Sequence, residues 1–305
     1  MIEGINIRCN VGGVEVLRSP RIVLSLRRRA VVSTCEVDIP DADASVQAAL
    51  AQASAVATQE VTDEDSNGLR GIRSKETAVA IRKPSELGNG YRKQAVKVRF
   101  GHRGEGGTWH EWAGTVKDFQ PAGPDAVRVF AVGLEQALID TTVTEAMHGE
   151  PADVVARRIL ASTGLPVAGI SIPTETFPHI VFSRVTVARA IKQLASSLER
   201  SWGHDLSKHA VWLGAAGLYW SDGDEPGDVF VVETAANLIT NSPNPAGMSY
   251  AVSTILPGLT ASRRVRIRDT RRGFSGLVRA EEVIHTLGAD GNTTTIGYGY
   301  DGGWG

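Results

Sequence analysis

The chain has seven histidines, and clustered imidazoles are the commonest ligands of catalytic metals. His110 precedes Glu111, but no second histidine follows at the spacing of the HExxH motif of zinc peptidases. His204 and Asp205, together with His209, could be ligands, although a polar turn after a helix accounts for them more simply. The remaining four repeat no ligand spacing: His102, His148, His179 and His285. We therefore predict no metal site.

A glycine-rich stretch, GHRGEGG at residues 101–107, suggests a phosphate-binding loop. It lacks the GxxxxGK[ST] order and lies between two predicted strands, so no helix N-terminus is available to hold a phosphate. A hairpin turn is the better interpretation. No GxSxG motif is present, and neither cysteine has a histidine neighbour that would suggest a nucleophile pair.

Carboxylates cluster in SDGDEPGD, at Asp222, Asp224, Glu225 and Asp228. The stretch departs from the EF-hand pattern, because Pro226 interrupts it and the twelfth position carries no glutamate. A solvated turn is favoured over a weak ion site. The sequence thus predicts no catalytic, cofactor-binding or metal-ligating residue and no cofactor, and we expect the protein not to be an enzyme.

Two further residue types carry structural information. Cys9 and Cys35 are the only cysteines, and we interpret them as small buried residues in strands, with a disulfide as the open alternative. The chain has 25 arginines and seven lysines, which suggests salt bridges between subunits. The run Arg27-Arg28-Arg29 is interpreted as a solvated turn, with a role at an interface or in a lumen as the alternative.

Composition excludes several classes of protein. The chain has 305 residues, 42% of them apolar, and a formal net charge of -2. This apolar content is too high for a disordered chain, and the length allows about two domains. No apolar run reaches the roughly 18–20 residues of a membrane span, and the near-zero charge argues against a general nucleic-acid binder.

Along the sequence, regions of predicted strands alternate with regions that contain predicted helices. Alternating apolar residues predict strands over 1–40, 94–144 and 251–305, and the middle stretch indicates an antiparallel meander. Helices are expected over the alanine-rich residues 41–59, after Glu150-Pro151, and after Thr186 as N-cap. We predict a first barrel at 1–125, a second barrel formed by 126–144 with 251–305, and an inserted α/β domain at 145–250.

Residues 62–93 carry many charges, several glycines and a proline, which predicts a long loop or arm within about 42–93. Ordering its backbone costs about 1–2 kcal/mol per residue with little apolar burial to offset it. We expect this segment to order only against a neighbouring protein. In the isolated protein, limited proteolysis should cut at Arg70, Arg73 or Lys75, and full protection of the free monomer would contradict this prediction.

The last predicted strand, Thr293–Tyr300, has two unlike sides. Thr294, Ile296, Tyr298 and Tyr300 form a bulky, partly apolar side, which we expect to face a core. Gly297 and Gly299 lie on the other side and permit close approach of another backbone.

Four segments in this order resemble the baseplate hub family of contractile phage tails, the late control protein D-like type. They are 95–133 with its Trp112-Ala113-Gly114-Thr115-Val116 element, 148–165 with a helix ending in Gly-Leu, 182–203 followed by a hairpin at Gly217–Trp220, and 255–300. Relatives of this family occur in tailocins and in the N-terminal part of type VI secretion spike proteins. The resemblance covers about three quarters of the chain; residues 42–93 have no clear match.

The resemblance implies an α+β, mainly β fold, with two tail-tube-like antiparallel β-barrel domains and a small inserted α/β segment. It implies a homotrimer forming a pseudo-hexameric ring that joins a sixfold tail tube to a separate trimeric spike. Further expected partners are a distal tube protein, a tape measure protein and wedge or sheath components, with assembly in the host cytoplasm into the virion baseplate. A distal tail or tail-tube protein and a particle-associated cell-wall hydrolase are the alternatives.

Overall fold

The computed structural model describes residues 5–16, 20–29, 32–41, 44–50, 94–102, 108–123 and 125–299. The predicted arm at 62–93 and Tyr300 lie outside these residues. Strands make up 52% and helices 16% of the described residues, and the antiparallel sheet is curled as a half-barrel. The predicted class, α+β but mainly β with tube-like antiparallel sheets, is confirmed.

The chain divides into two compact units. The first comprises Met1–Val23, Thr34–Gly133 and Leu287–Asp290, and the second comprises Leu24–Ser33, Leu134–Thr286 and Gly291–Gly305. This division differs from the three predicted domains, most clearly at residues 126–133, which were assigned to the second barrel. These residues follow the preceding strand after a short turn, so the local hairpin pairing places them in the first unit.

The first unit is built on one antiparallel sheet. Its strands are β1 (Ile5–Val11), β2 (Val14–Glu15), β3 (Arg21–Arg27), β4 (Thr34–Pro40), β5 (Ala95–His102), β6 (Trp109–Pro121) and β7 (Ala126–Gly133). They lie in the order β3-β4-β7-β6-β5-β1-β2, and β3 continues into the second unit. The predicted meander is thus β5-β6-β7. Alternate residues of each longer strand are buried and form one face of a core, as do Val127, Val129, Ala131 and Gly133 of β7.

Close packing around Gly114 explains the glycine in the Trp112-Ala113-Gly114 element of β6. A Cβ atom at this position would lie 2.2 Å from the carbonyl oxygen of Val132 and 2.5 Å from the ring of Trp112. Glycine is therefore required for the close approach of β6 and β7 beneath the buried indole.

A short helix, α1 at residues 45–50, follows β4. Asp41 precedes it, and its carboxylate accepts hydrogen bonds from the backbone amides of Val46 and Gln47, both at 3.0 Å. Val46 and Leu50 are buried. The helix expected within 41–59 is therefore present in its described part.

The second unit contains a helical part and a β part. After a 3₁₀ turn at Leu134–Gln136, its helices are α2 (Ala137–Asp140), α3 (Ala152–Ala161) and α4 (Val187–Trp202). Its strands are β8 (Thr142–Met147), β9 (Glu150–Pro151), β10 (Val167–Ile170), β11 (Thr176–Phe177), β12 (Ile180–Thr186), β13 (Ala210–Gly214), β14 (Gly217–Ser221), β15 (Phe230–Glu233), β16 (Leu238–Ser242), β17 (Ser249–Thr254), β18 (Arg264–Asp269), β19 (Phe274–Leu287) and β20 (Thr293–Tyr298).

Helix α4 begins and ends where the sequence indicates. The Thr186 hydroxyl accepts a hydrogen bond from the Arg189 amide at 3.3 Å, and Gly203 adopts a left-handed φ of 74° after the last turn. The buried side of α4 packs in a core that includes Leu160, Phe182 and Trp220. The hairpin β13–β14 and the parallel strand β10 complete this part.

The β part of the second unit is organised around the long strand β19. Its last residues pair with β20, which in turn pairs with β17 and then β16. Its first residues pair with β18, and β18 pairs with β15 in parallel. Thr294, Ile296 and Tyr298 of β20 are all buried, which confirms the side of this strand that was predicted to face a core.

Candidate functional site

The second unit contains a buried arginine at the end of β3. The side chain of Arg28 is fully buried; its Nη1 donates to the Ser262 hydroxyl and its Nη2 to the Ser221 carbonyl oxygen, both at 2.8 Å. The guanidinium lies 4.2 Å from the ring centroid of Trp212, a stacking geometry that favours a planar cation. The Arg28 amide also donates to the Glu281 carbonyl oxygen at 2.9 Å. This side chain therefore ties together four segments of the unit.

Three arginines converge on one carboxylate beside this contact. Glu281 accepts a 2.6 Å hydrogen bond from Arg279, and Arg28 and Arg29 approach it at 3.9 and 3.8 Å. Burial and the neighbouring Arg279 lower the pKa of Arg28 to about 10, with Glu281 and Asp224 opposing that change. Arg28 therefore remains protonated at neutral pH, and the cluster is a permanently charged structural contact.

The interpretation of Arg27-Arg28-Arg29 as a solvated turn was wrong for Arg28. Ile22, Leu24, Leu26 and Arg28 are all buried, so Arg28 continues the period of two that β3 establishes. Arg27, on the opposite side, is exposed and forms an ion pair with Glu282.

The acidic stretch 222–228 is also only partly solvated. Glu225 is buried, and its carboxylate accepts hydrogen bonds from the Ala215 amide at 2.9 Å and from the Thr260 hydroxyl at 2.8 Å. Asp224 pairs with Arg264 at 2.5 Å, whereas Asp222 and Asp228 are exposed as expected. The inner carboxylates hold two loops together, so the solvated-turn interpretation was wrong for them.

The histidines considered as metal ligands do not come together. His204 contacts Glu175 at 3.1 Å, and Asp205 accepts a hydrogen bond from the Ser207 amide, which lowers the pKa of its carboxyl. His110 is buried against the ring of Phe100. Within the described ranges, no group of three or more His, Cys, Asp or Glu side chains could hold a metal ion.

His285 is a fully buried histidine with a defined hydrogen-bond network. Its Nε2 lies 2.9 Å from the Leu259 carbonyl oxygen and must donate to it, so its Nδ1 accepts from the Thr294 hydroxyl at 3.0 Å. The Thr294 oxygen in turn accepts from the Leu256 amide at 2.9 Å. Each group is satisfied only when the imidazole is neutral, and burial lowers the pKa of His285 to about 4.

This network predicts acid sensitivity of the second unit. In the unfolded chain His285 protonates near its ordinary pKa of 6.5, whereas the folded state resists protonation down to about 4. The unfolded state thus binds more protons in this window, and stability should fall by about 3 kcal/mol as the pH drops from 7 to 4. Urea unfolding at several pH values measures this change in the free energy of unfolding. A His285→Gln variant, which cannot protonate, should lose part of this dependence, and an identical pH profile would contradict the assignment.

Both cysteines are free and buried, Cys9 in β1 and Cys35 in β4. Burial raises the pKa of the Cys9 thiol to about 12 and also raises that of Cys35. Because the thiolate is the reactive form, we expect no modification of the native protein by a thiol reagent at pH 8 and two modified cysteines in guanidinium chloride. Mass spectrometry counts the adducts, and rapid labelling of either native residue would contradict the described burial.

The first unit carries a groove of about 480 Å³ along β1, β5 and β6, lined by both charged and apolar residues. Arg8, Arg99 and Glu111 are directly opposite one another on these three strands. Arg99 pairs with Glu111 at 2.9 Å and lies 4.4 Å from the ring centroid of Trp109. On this face the Arg99 guanidinium therefore contacts both the Glu111 carboxylate and the Trp109 ring.

The exposed face of β15, β18 and β19 carries a second patch. Arg266 lies in register with Val231 on one side and Leu277 on the other, and these apolar residues are 44% and 49% exposed. Arg264 and Arg268 flank this row on β18 and pair with Asp224 and Glu233. Within the described part of the chain, Arg266 has no ion-pair partner. We call Val231, Arg266 and Leu277 the Arg266 row.

Comparison with known proteins relates the fold to tail proteins. No protein-family model and no curated protein matches the sequence. The 43 kDa tail protein of prophage MuSo2 from Shewanella oneidensis is similar in structure, with a TM-score of 0.61 at 10% identity over 98% of this chain and 99% of that one. A tail protein from Neisseria meningitidis gives a TM-score of 0.61 at 12% identity over 99% and 98% of the two chains.

A third similar structure comes from Escherichia coli. It is described as a component of the type VI secretion system with structural similarity to the phage T4 tail proteins gp27 and gp5. Its TM-score is 0.56 at 10% identity, over 98% of this chain and 78% of that one. The chain therefore has the fold of phage tail and injection-machine proteins, which confirms the fold predicted from the resemblance. None of the helices in the described residues has the length and apolar character of a membrane span.

Proposed function

We propose that the protein is a structural component of a phage tail or related injection machine, namely its baseplate hub. In this role three copies form a pseudo-hexameric ring that joins the sixfold tail tube to a trimeric spike. The observation that carries the proposal is the fold, which matches two tail proteins over nearly the whole length of each chain. The order of the four sequence segments supports the finer assignment to a hub.

The Arg266 row supports a role in assembly. Interface centres are more apolar than the rest of a protein surface and are enriched in arginine, and a polar rim surrounds them. The row has this arrangement, because Val231 and Leu277 flank Arg266 while Arg264 and Arg268 are already paired. We propose this patch as a contact between subunits or with another tail protein.

The proposed role is structural and non-catalytic, without a cofactor. The protein would be assembled in the host cytoplasm and reside in the virion baseplate, without membrane insertion or direct sequence-specific binding of nucleic acid. Its partners would be two further copies, the tail tube or a distal tube protein, the spike, and the tape measure and wedge or sheath proteins.

Sedimentation and negative-stain electron microscopy of the purified full chain test this proposal. A trimer with a threefold, six-lobed ring is the expected result. A sixfold ring would instead support a distal tail or tube protein, and a monomer at all concentrations would contradict both. Release of soluble fragments from peptidoglycan by the protein would support the hydrolase alternative.

A surface variant separates assembly from folding. Leu277→Asp places a charge in the Arg266 row, and it should weaken association without changing the circular dichroism of the protomer. Thr240→Asp, at an exposed position of β16, is a matched control that should assemble normally. Normal assembly of the Leu277→Asp variant would exclude this patch as the contact.

A further inference from the structure

Two histidines outside the features described above face each other at the surface of the second unit. The Nδ1 atoms of His148 and His179 lie 3.0 Å apart, and the ring centroids are 4.4 Å apart with planes inclined by 39°. Both side chains are exposed. Neither residue was identified by sequence spacing, because they are 31 positions apart.

The backbone fixes both residues in place from two sides. On one side, Met147 of β8, which precedes His148, pairs with Ile180 of β12, which follows His179. Beyond them, β9 pairs with β11, and the Gly149 amide donates to the Phe177 carbonyl oxygen at 3.0 Å. His148 and His179 therefore occupy the short gap between two antiparallel ladders, so little backbone entropy is lost when their side chains bind a common ligand.

The separation of the two nitrogens suits one transition metal ion. With metal–nitrogen distances of about 2.0–2.1 Å, an Nδ1 separation of 3.0 Å corresponds to an angle of about 95° at the metal. This is the angle between adjacent ligands in square-planar or octahedral coordination, the geometry that Cu²⁺ and Ni²⁺ adopt with nitrogen ligands. A tetrahedral Zn²⁺ site would require the nitrogens to separate by a few tenths of an ångström.

A carboxylate close to His148 in the sequence is already engaged. Glu150, two residues after His148, pairs with Arg158 at 3.6 Å. The remaining coordination positions would therefore be filled by water or by a side chain of a neighbouring protein.

We propose that His148 and His179 form a two-histidine site for a divalent transition metal, with Cu²⁺ and Ni²⁺ preferred over Zn²⁺. In the metal-free protein one Nδ1 donates a hydrogen to the other. The metal replaces that hydrogen, and each ring then carries its proton on Nε2. The site is independent of the proposed tail function, because it depends only on these two side chains and the ladders that hold them.

Isothermal titration of the untagged full chain with NiCl₂ at pH 7.5 tests the site. We expect one nickel ion per chain, and His148→Ala and His179→Ala should each weaken binding at least about 10-fold. His204→Ala is the matched control, since it removes a partly exposed histidine paired with Glu175, and it should leave the affinity unchanged. Electron paramagnetic resonance with one equivalent of CuCl₂ should show two imidazole nitrogens in the wild type and one in either variant.

Three results would overturn the proposal. One is the absence of saturable binding with NiCl₂ concentrations up to about 1 mM. Another is nickel binding that both single variants retain, which would mean an adventitious ion only. The third is a copper spectrum that is the same in the wild type and the His148→Ala variant.

Discussion

A chain that ends after Gly291 is expected to lose the sheet of the second unit. This truncation removes β20, which lies between β17 and β19 and pairs with both. It would leave two open edges and uncover the core where Thr294, Ile296 and Tyr298 are buried. Burial of Ile296 and of Tyr298 contributes about 1.5–3 kcal/mol each, whereas a folded domain has only about 5–15 kcal/mol in total.

Circular dichroism and sedimentation measure this loss. We expect reduced strand signal, retained structure in the first unit, and no oligomer. A chain that ends after Gly299 is the matched control, because it keeps all of β20 and should behave as the full chain does. If the Gly291 truncation forms the same oligomer as the full-length protein, both the position of β20 and the two-unit organisation are refuted.

Local patterns predicted the elements of this protein well. The period of two identified β5, β6 and β7 as a meander, and it identified the buried side of β20. Thr186 and Gly203 marked the ends of α4 because capping depends on residues within one turn. The tail-protein fold was predicted from the order of four sequence segments. The resemblance of each segment to the hub family is weak when it is taken alone.

Long-range contacts were not predictable from these patterns. His285 satisfies its ring nitrogens with Leu259 and Thr294, which are 26 and 9 positions away, and His148 meets His179 across 31 positions. Such contacts depend on which strands become neighbours, and local periodicity carries no information on that. The predicted domain boundary at residue 125 is a different case, because the short turn between β6 and β7 already favours a local hairpin that places 126–133 in the first unit.

The prediction that Arg28 is solvated was wrong, although the sequence contained a signal of its burial. The strand residues Ile22, Leu24 and Leu26 set a period of two that continues to Arg28. A run of three arginines ordinarily indicates exposure to solvent, which obscures this period. A charged residue in phase with a buried strand should therefore be examined for a hydrogen-bonding partner before it is assigned to the surface.

Replacement of Arg28 by alanine is expected to destabilise the second unit by about 3–5 kcal/mol, the usual cost of breaking a buried ionic contact. The Ser221 carbonyl oxygen and Ser262 hydroxyl would lose their donors, and a cavity would open beside Trp212. Arg279 cannot replace these contacts, because it already donates to Glu281 and to the Asp222 carbonyl oxygen.

Chemical denaturation of the full chain, followed by the fluorescence of its tryptophans, measures the effect of this replacement. Arg28→Lys keeps the charge but has neither the planar fork nor the stacking surface, so it should fall between the alanine variant and the wild type. Arg157→Ala removes an exposed arginine of α3 with no intrachain ion pair in the described residues, and it should change stability by less than about 0.5 kcal/mol. If Arg28→Ala is no more destabilising than Arg157→Ala, the buried guanidinium does not hold the four segments together, and the end of β3 must be solvated as the arginine run first suggested.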